Sequence, residues 1–572
     1  MQALTIYFLF VLGRMASLFV YRMCWSSGAT VYATTRSAIF NLLRRPLPWL
    51  AHAAFIWPTL HLTWHEMPAL RVFTVVLTAL LALGAIGRMG SANLNRFFVG
   101  DRCVVLGLSI GVWFNPSLIY PCLIASCCLQ YTVASWSLGP GYSNLLGFEF
   151  VRGSLSVIVA ALMLMGWTRL IHWTIPHGQT ILLGAVLLFQ ASTYANHALA
   201  KSSLGAHWHS WIRENRLECL AANAWLRGWT LGRNKKFILG LIRRISRYRV
   251  FLCASIWILE ISWFVVFADE HLTMMILCAT MLFHLVVFLL TGLTGYQYIV
   301  SHLTLFVIIS CYGIDSVFSL QNFITSLISI PLAAMWIKWL RKSTLTEFLK
   351  GNHSQRLLKF SDAADHLMAW WDTPLMRMFS YTVETRSGQQ YSLPTPKLSP
   401  HDTALTDIHT HMMMFGQHNG LDPLIEHDKK IARVGVWGLT IFPDDRDFLY
   451  RLMDHPAEDW QPVLHAKNST QPWHLSSESH QPHAATALRD MFCGINKNIG
   501  HKWFSLIMRW PHFPGEDAAS DLCPLGNFPQ KRFTFDEPVT QVTLWRSTTF
   551  LTRNDMLLIA EEKVGCIHFE ET

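Results

Sequence analysis

Three ionisable residues sit where the surrounding sequence is apolar. Lys201 sits at the end of a long apolar run, in QASTYANHALAKSSLGAHWHSW (Gln190 to Trp211), Glu260 lies in IWILEISWFVVF, and His284 lies in MLFHLVVFLLTG. Ionisable side chains at bilayer depth are costly and commonly mark function. Lys201 has two readings. Dehydrated inside a bundle, the uncharged amine is favoured and can serve as a general base. Beside a helix end, the stem lies along apolar surface and the ammonium reaches the head groups at little cost. Glu260 either orients a partner lysine or histidine, or makes a structural bond between helices. His284 either takes part in the chemistry or is a satisfied core histidine. His197 precedes Lys201 by four residues, on the same helical face, where it relays a proton or caps local carbonyls.

The remaining motifs are weaker. Asp407-Ile408-His409-Thr410-His411, with His401, His418 and His427 nearby, contains an HxH that could ligate metal from one strand face. Its flanks read as helical and no second ligand pair has the usual spacing, so no metal site is expected. His474, His480 and His483 lie among Ser, Gln and Pro and read as a surface loop. Gly139-Pro140-Gly141-Tyr142 is a turn signature, a connector before it is a binding loop. No Walker motif, dinucleotide glycine fingerprint, GxSxG or HExxH is present, which disfavours a nucleotide-driven pump.

The elements that must hold these residues are membrane helices. The chain has 572 residues, 52% apolar and only 15% charged, too apolar for an ordinary soluble enzyme of this length. The 24 Trp and 35 Phe suit aromatic belts at membrane interfaces. Candidate spans cover residues 4–22, 71–92, 103–135 (broken near Asn115-Pro116), 153–171, 180–199, 250–268, 273–294, 297–317 and 322–340, about nine in all. The N-terminal stretch lacks a basic leader and a cleavage signature, and reads as a first span or signal anchor. The 12 Cys form no CxxC array; buried free thiols are expected. The net charge of +9 comes from basic residues beside membrane segments, a topology signal and not a nucleic-acid footprint.

Residues 212–249 read as a basic loop, with Arg213, Arg216, Arg227, Arg233, Lys235, Lys236, Arg243, Arg244, Arg247 and Arg249. The positive-inside rule puts it in the cytoplasm, and an even number of later spans returns the tail to that side. The expected fold is therefore an α-helical multi-pass membrane bundle over residues 1–342, followed by a β-rich or mixed α/β soluble domain over 343–572. In that tail Phe379 to Leu393 reads as a hairpin around Ser387-Gly388, Arg532 to Thr552 alternates like a strand, and 402–420 and 484–496 read as helices.

A family pattern emerges from residues taken in order: Tyr194, Lys201, Gly205 and Trp208; Glu260-Ile261-Ser262; Phe283-His284 and the run to SHLTLF (Ser301 to Phe306); then MRMFSYTVETRSGQQY after the membrane part. In this order the chain resembles the horizontally transferred transmembrane (HTTM) family, to which the vitamin K-dependent gamma-carboxylase belongs. The resemblance implies an integral membrane enzyme, multi-pass in a bacterial inner membrane. Lys201 would be the base that activates a reduced quinone, with Glu260 and His284 as catalytic partners and Tyr194, His197 and Trp208 against the quinone. O2 and CO2 would be cosubstrates, and a peptide or small molecule the substrate. The family's animal members have a histidine upstream that assists the lysine; here no His occurs from Cys103 through Ile171, and Glu149 is the acidic residue of that stretch. The animal carboxylase holds its soluble part in the lumen, opposite to the side the charges of this chain indicate. Two other readings stand beside the enzyme: a non-catalytic membrane protein for peptide export or immunity, and a proton-coupled transporter relaying through Glu260 and His284.

Overall fold

The computed structural model describes residues 6–8, 11–12, 15, 53, 56–87, 99–134, 142–170, 178–202, 207–226, 234–291, 295–312, 317–349, 375–394, 539–552 and 555–568. Among them the chain is mostly helical. The helices are α1 (Pro68–Gly87), α2 (Val99–Val112), α3 (Ile119–Ala134), α4 (Tyr142–Leu170), α5 (Gly178–Ser202), α6 (Ser210–Glu214), α7 (Leu217–Leu226), α8 (Lys235–Ser262), α9 (Glu270–Thr291), α10 (Tyr296–Tyr312) and α11 (Leu320–Leu349). Four strands follow: β1 (Leu375–Thr385), β2 (Gln390–Pro394), β3 (Val539–Leu551) and β4 (Met556–His568).

Local chemistry sets several boundaries. Pro116 biases Asn115 toward extended backbone, and Asn115 adopts φ −138, ψ 120. Its side chain then accepts from Ser117 N at 2.9 Å and Ser117 Oγ at 2.7 Å. The apolar run 103–135 therefore breaks into α2 and α3 at the expected dipeptide. Asp269 Oδ1 accepts from Leu272 N at 3.0 Å and starts α9. Asn234 Oδ1 accepts from Lys236 N at 2.8 Å and starts α8.

The start of α8 corrects the sequence reading. Lys235 to Arg249 is not loop but the first half of a 28-residue helix that runs on into the apolar part. Lys, Arg and Leu carry good helix propensity, and together with the Asn234 cap this outweighs the charge density. Residues 210–214 and 217–226 of the same basic stretch are also helical. Helix α11 continues to Leu349, beyond the 342 boundary taken from composition.

Three helical stretches among the described residues are long and apolar enough to cross a membrane: Phe150–Leu170, Lys235–Val265 and Glu270–Leu290. They differ in surroundings. The first is mostly buried by other helices, whereas α8 and α9 expose Phe251, Ile258, Met275 and Leu282, as lipid-facing helices would. Helix α5 is not one of the three. Its first half is apolar, but its second carries Gln190, Ser192, Thr193, Tyr194, Asn196 and His197. It is buried nevertheless, packed against α4, α8 and α11. A polar helix at the centre of a bundle must satisfy its side chains against other helices, and that demand shapes the site.

The strands form one antiparallel sheet in the order β2-β1-β3-β4. The β1–β2 hairpin turns at Ser387-Gly388, where Gly388 adopts φ +78 and donates N–H to the Thr385 carbonyl at 2.9 Å. A left-handed residue there favours glycine. Strand β3 lies within the alternating stretch 532–552, and the β3–β4 turn meets the start of α8 through Lys235 Nζ and Asp555 Oδ1 at 2.6 Å. The segments read as helical at 402–420 and 484–496, and the histidine clusters at 401–427 and 474–483, lie outside the described residues, as does most of the expected first span.

Candidate functional site

Helix α5 supplies one wall of the site. Tyr194 and Lys201 are seven residues apart, so they share a face two turns apart, roughly 10 Å along the axis. The opposite wall comes from α8 and the 3-10 turn after it (Trp263–Val265). There Glu260 and Trp263 are one turn apart. The two walls run antiparallel, which pairs Lys201 with Glu260 on one rung and Tyr194 with Trp263 on the next.

On the first rung, Lys201 Nζ donates to Glu260 Oε1 in a buried ion pair. Both side chains are almost fully removed from solvent, at 10% and 7% exposure. The amine therefore turns inward and does not snorkel. It also lies 4.9 Å from the centre of the Trp211 ring, a cation–π distance. Trp211 is fixed by packing against Cys253 and Trp257, and Trp257 Nε1 donates to Ser202 Oγ at 2.9 Å, tying the end of α5 to α8. The second carboxylate oxygen, Glu260 Oε2, has no hydrogen-bond partner among the described residues.

The second rung is aromatic. The Trp263 ring stacks on Tyr194 with centroids 4.7 Å apart and planes 9° from parallel, and Trp263 Nε1 donates to Thr280 Oγ1 at 3.2 Å. The Tyr194 hydroxyl bonds His284 Nε2 at 2.7 Å. His284 in turn stacks on Tyr298 at 4.6 Å. His302 completes the group, 5.6 Å from Tyr194, 5.4 Å from Trp263 and 5.6 Å from Phe150. Its ring is fully buried, and neither nitrogen makes a well-directed hydrogen bond, although the Tyr298 carbonyl one turn back lies near it. One turn before Tyr194, Gln190 is fully buried with both amide atoms unmatched; Gln297 and Ser301 on α10 share that condition. Each such group costs about 1–3 kcal/mol, so this density in a native interior calls for a physical reason.

The residues singled out from sequence divide accordingly. Lys201 and Glu260 meet directly. His284 meets Tyr194 and belongs to the aromatic rung, not to the lysine. His197 is half-buried one turn from Lys201. Trp208 does not join Tyr194: it is 59% exposed and lies against His209 and Trp257, outside the aromatic group. Trp211, Trp263, Tyr298, His302 and Gln190 were not singled out as site residues. The signal for His302 was available, a histidine four residues after a tyrosine within an apolar helix, but that pattern alone matches any satisfied core residue. No group of three or more His, Cys, Asp or Glu positioned for a metal occurs among the described residues. Comparison with protein-family models, with characterised proteins and with solved structures gives no match for this chain.

Proposed function

We propose that this chain is an integral membrane enzyme similar to the vitamin K-dependent carboxylases. Lys201 is the base, and a reduced, lipophilic quinone-type molecule is the cosubstrate. The single observation that supports the reading is the buried Lys201–Glu260 pair inside a helical bundle. In it a proton can sit on either partner. When Glu260 holds it, the Lys201 amine is uncharged and can accept a proton from a quinol hydroxyl. The ammonium so formed is stabilised by the quinolate it has generated, by the carbonyl oxygen of the still protonated Glu260 carboxyl and by the face of Trp211. The quinol, with O2 and CO2, would supply the oxidative and carboxylating chemistry.

The neighbouring residues suit such a molecule. Tyr194, Trp263, Tyr298 and Phe150 offer flat apolar surfaces, and Gln190 and His302 offer unmatched polar atoms. In this reading about nine spans form the bundle, a C-terminal domain over 343–572 presents a peptide or small substrate, and the chain resides in a bacterial inner membrane with that domain on the cytoplasmic face.

The test uses the full chain in proteoliposomes supplied with a reduced naphthoquinone, following O2 uptake and incorporation of labelled CO2. Lys201→Ala should lower both by about a hundredfold or more, the usual scale for a general base. Undiminished turnover in that variant removes the base, and absence of quinol-dependent O2 uptake in the parent chain removes the enzyme.

A second reading, a proton-coupled transporter, is favoured by one observation: the Tyr194–His284 hydrogen bond with buried His302 beside it resembles a relay. Acidification of the vesicle lumen on substrate addition, abolished by His284→Phe and insensitive to quinol, would favour it.

A further inference from the structure

The cations in the first half of α8 divide by the face on which they lie. Lys235 pairs with Asp555 at 2.6 Å, and the largely buried Arg249 lies 3.9 Å from the buried Glu218 carboxylate. Lys236, Arg243, Arg244 and Arg247 are exposed, and none has a carboxylate partner among the described residues. Arg243 Nε spends one donor on the Leu239 carbonyl one turn back, at 3.3 Å. Lys236, Arg243, Arg247, Phe251 and Ile258 follow one another at steps of four or seven residues, so they share one face of a continuous helix. The opposite face carries the buried Ile238, Leu239, Ile242, Ile245 and Cys253. Phe251 and Ile258 are 70% and 60% exposed where the helix is apolar. The unpaired cations therefore look in the direction in which α8 would meet lipid.

Depth agrees with direction. From Asp269, the first charged residue after the apolar run, back to Val250 is roughly 30 Å of helix and 3-10 turn, the thickness of a hydrocarbon core. The turn from Arg243 to Arg247 occupies the next roughly 6 Å, the depth of one head-group layer. Tyr248 is exposed at that boundary, as interfacial aromatics are. The positive-inside rule accounts for the side of the membrane these charges take, but cations spread around the helix would satisfy it equally. It gives no reason for the unpaired ones to share the lipid-facing side, where like charges one turn apart repel each other.

We infer that Lys236, Arg243, Arg244 and Arg247 form a binding surface for the anionic head groups of phospholipids in the leaflet at that end of α8. A phosphodiester accepts the guanidinium N–H bonds that no carboxylate accepts here. A head group with net negative charge also relieves the repulsion along the stripe, whereas a choline head group brings its own cation. The inference rests on α8 standing in a membrane and not on quinol chemistry.

The test reconstitutes the full chain in phosphatidylcholine vesicles that contain a trace of acyl-chain spin-labelled phosphatidylglycerol or phosphatidylcholine. Electron paramagnetic resonance then separates lipid held at the protein surface from bulk lipid. Phosphatidylglycerol should associate about threefold or more tightly than phosphatidylcholine at low salt, and that ratio should fall by about half in molar salt. Arg243→Gln/Arg244→Gln/Arg247→Gln should bring the ratio to about one and leave the held phosphatidylcholine unchanged, because Gln keeps the helix propensity at exposed positions. Arg243→Gln and Arg247→Gln alone should each give an intermediate ratio, which keeps the inference exposed should the triple variant fail to insert. Arg71→Gln/Arg169→Gln, which removes cations from α1 and α4, should leave the ratio as in the parent, and so should Lys201→Ala. A ratio near one in the parent overturns the inference, as does an unchanged ratio in the single and triple variants. An equal fall in Arg71→Gln/Arg169→Gln overturns it by showing an effect of net charge, and a fall in Lys201→Ala alone moves the preference to the buried pair. Binding of a single-stranded oligonucleotide by the solubilised parent, lost in the triple variant while the lipid ratio stays near one, assigns the stripe to nucleic acid instead.

Discussion

Replacing Glu260 by leucine leaves the Lys201 ammonium buried opposite an apolar side chain. Removing one partner of a buried pair typically costs about 3–5 kcal/mol, since the remaining charge keeps its desolvation penalty and loses its compensation. The exposures of 10% and 7% place this pair in that regime. Lys201→Met should cost a similar amount by stranding the carboxylate, plus about 0.5–2 kcal/mol for the lost contact with Trp211. The double variant Lys201→Met/Glu260→Leu strands nothing. Because Glu260 Oε2 is already unpartnered, apolar replacement of the pair should be close to neutral, or stabilising by about 1–4 kcal/mol. The double-variant cycle should then return a coupling of about 6 kcal/mol or more. Equilibrium unfolding in mixed micelles, followed by tryptophan fluorescence, measures each corner. Single variants that cost under about 1 kcal/mol and add in the double would mean the pair behaves as an exposed one, and the reasoning from burial fails.

Three further outcomes follow from the geometry. A Cβ at Gly295 would lie 3.1 Å from His284 Nδ1, so Gly295→Ala should push the ring away from Tyr194, costing about 1 kcal/mol for the lost hydrogen bond; the His284 imidazole NMR signals should shift, and unmoved signals would contradict the contact. Arg169 hydrogen-bonds the Glu66 carboxyl and holds it below its ordinary value of 4.5. Its contribution is therefore present above pH 4.5 and lost as pH falls through the lower folded-state value; with Glu66 at 54% exposure it amounts to under about 1 kcal/mol, and Glu66→Gln should flatten that part of the acid side of a stability profile. Asn115→Ala removes the cap on Ser117 and should cost about 1 kcal/mol, seen as a lower unfolding midpoint, with Asn115→Asp close to neutral.

Local rules were readable wherever one or two residues decide the backbone. The Asn115-Pro116 break and the Ser387-Gly388 hairpin both formed where the residue types require them. From Lys235 to Arg249 the charge density reads as loop, but helix propensity and the Asn234 cap decide the backbone. Trp208 stands with Tyr194 only in what the resemblance implies, whereas its ring lies against His209 and Trp257. The complete burial of His302 and Gln190 is a property of their surroundings, and no sequence window contains it.

The sequence by itself determined that Lys201, Glu260 and His284 are costly residues in apolar helices, since that cost depends only on each side chain and its immediate neighbours along the chain. Tertiary structure alone decided their pairing. Lys201 and Glu260 are 59 residues apart, and Tyr194 and His284 are 90 apart. The antiparallel packing of α5 against α8, and the place of α9 and α10 beside them, set which polar atom meets which. The penalty for unmatched polar groups in an apolar interior makes those meetings matter, but the crossing of the helices chooses them.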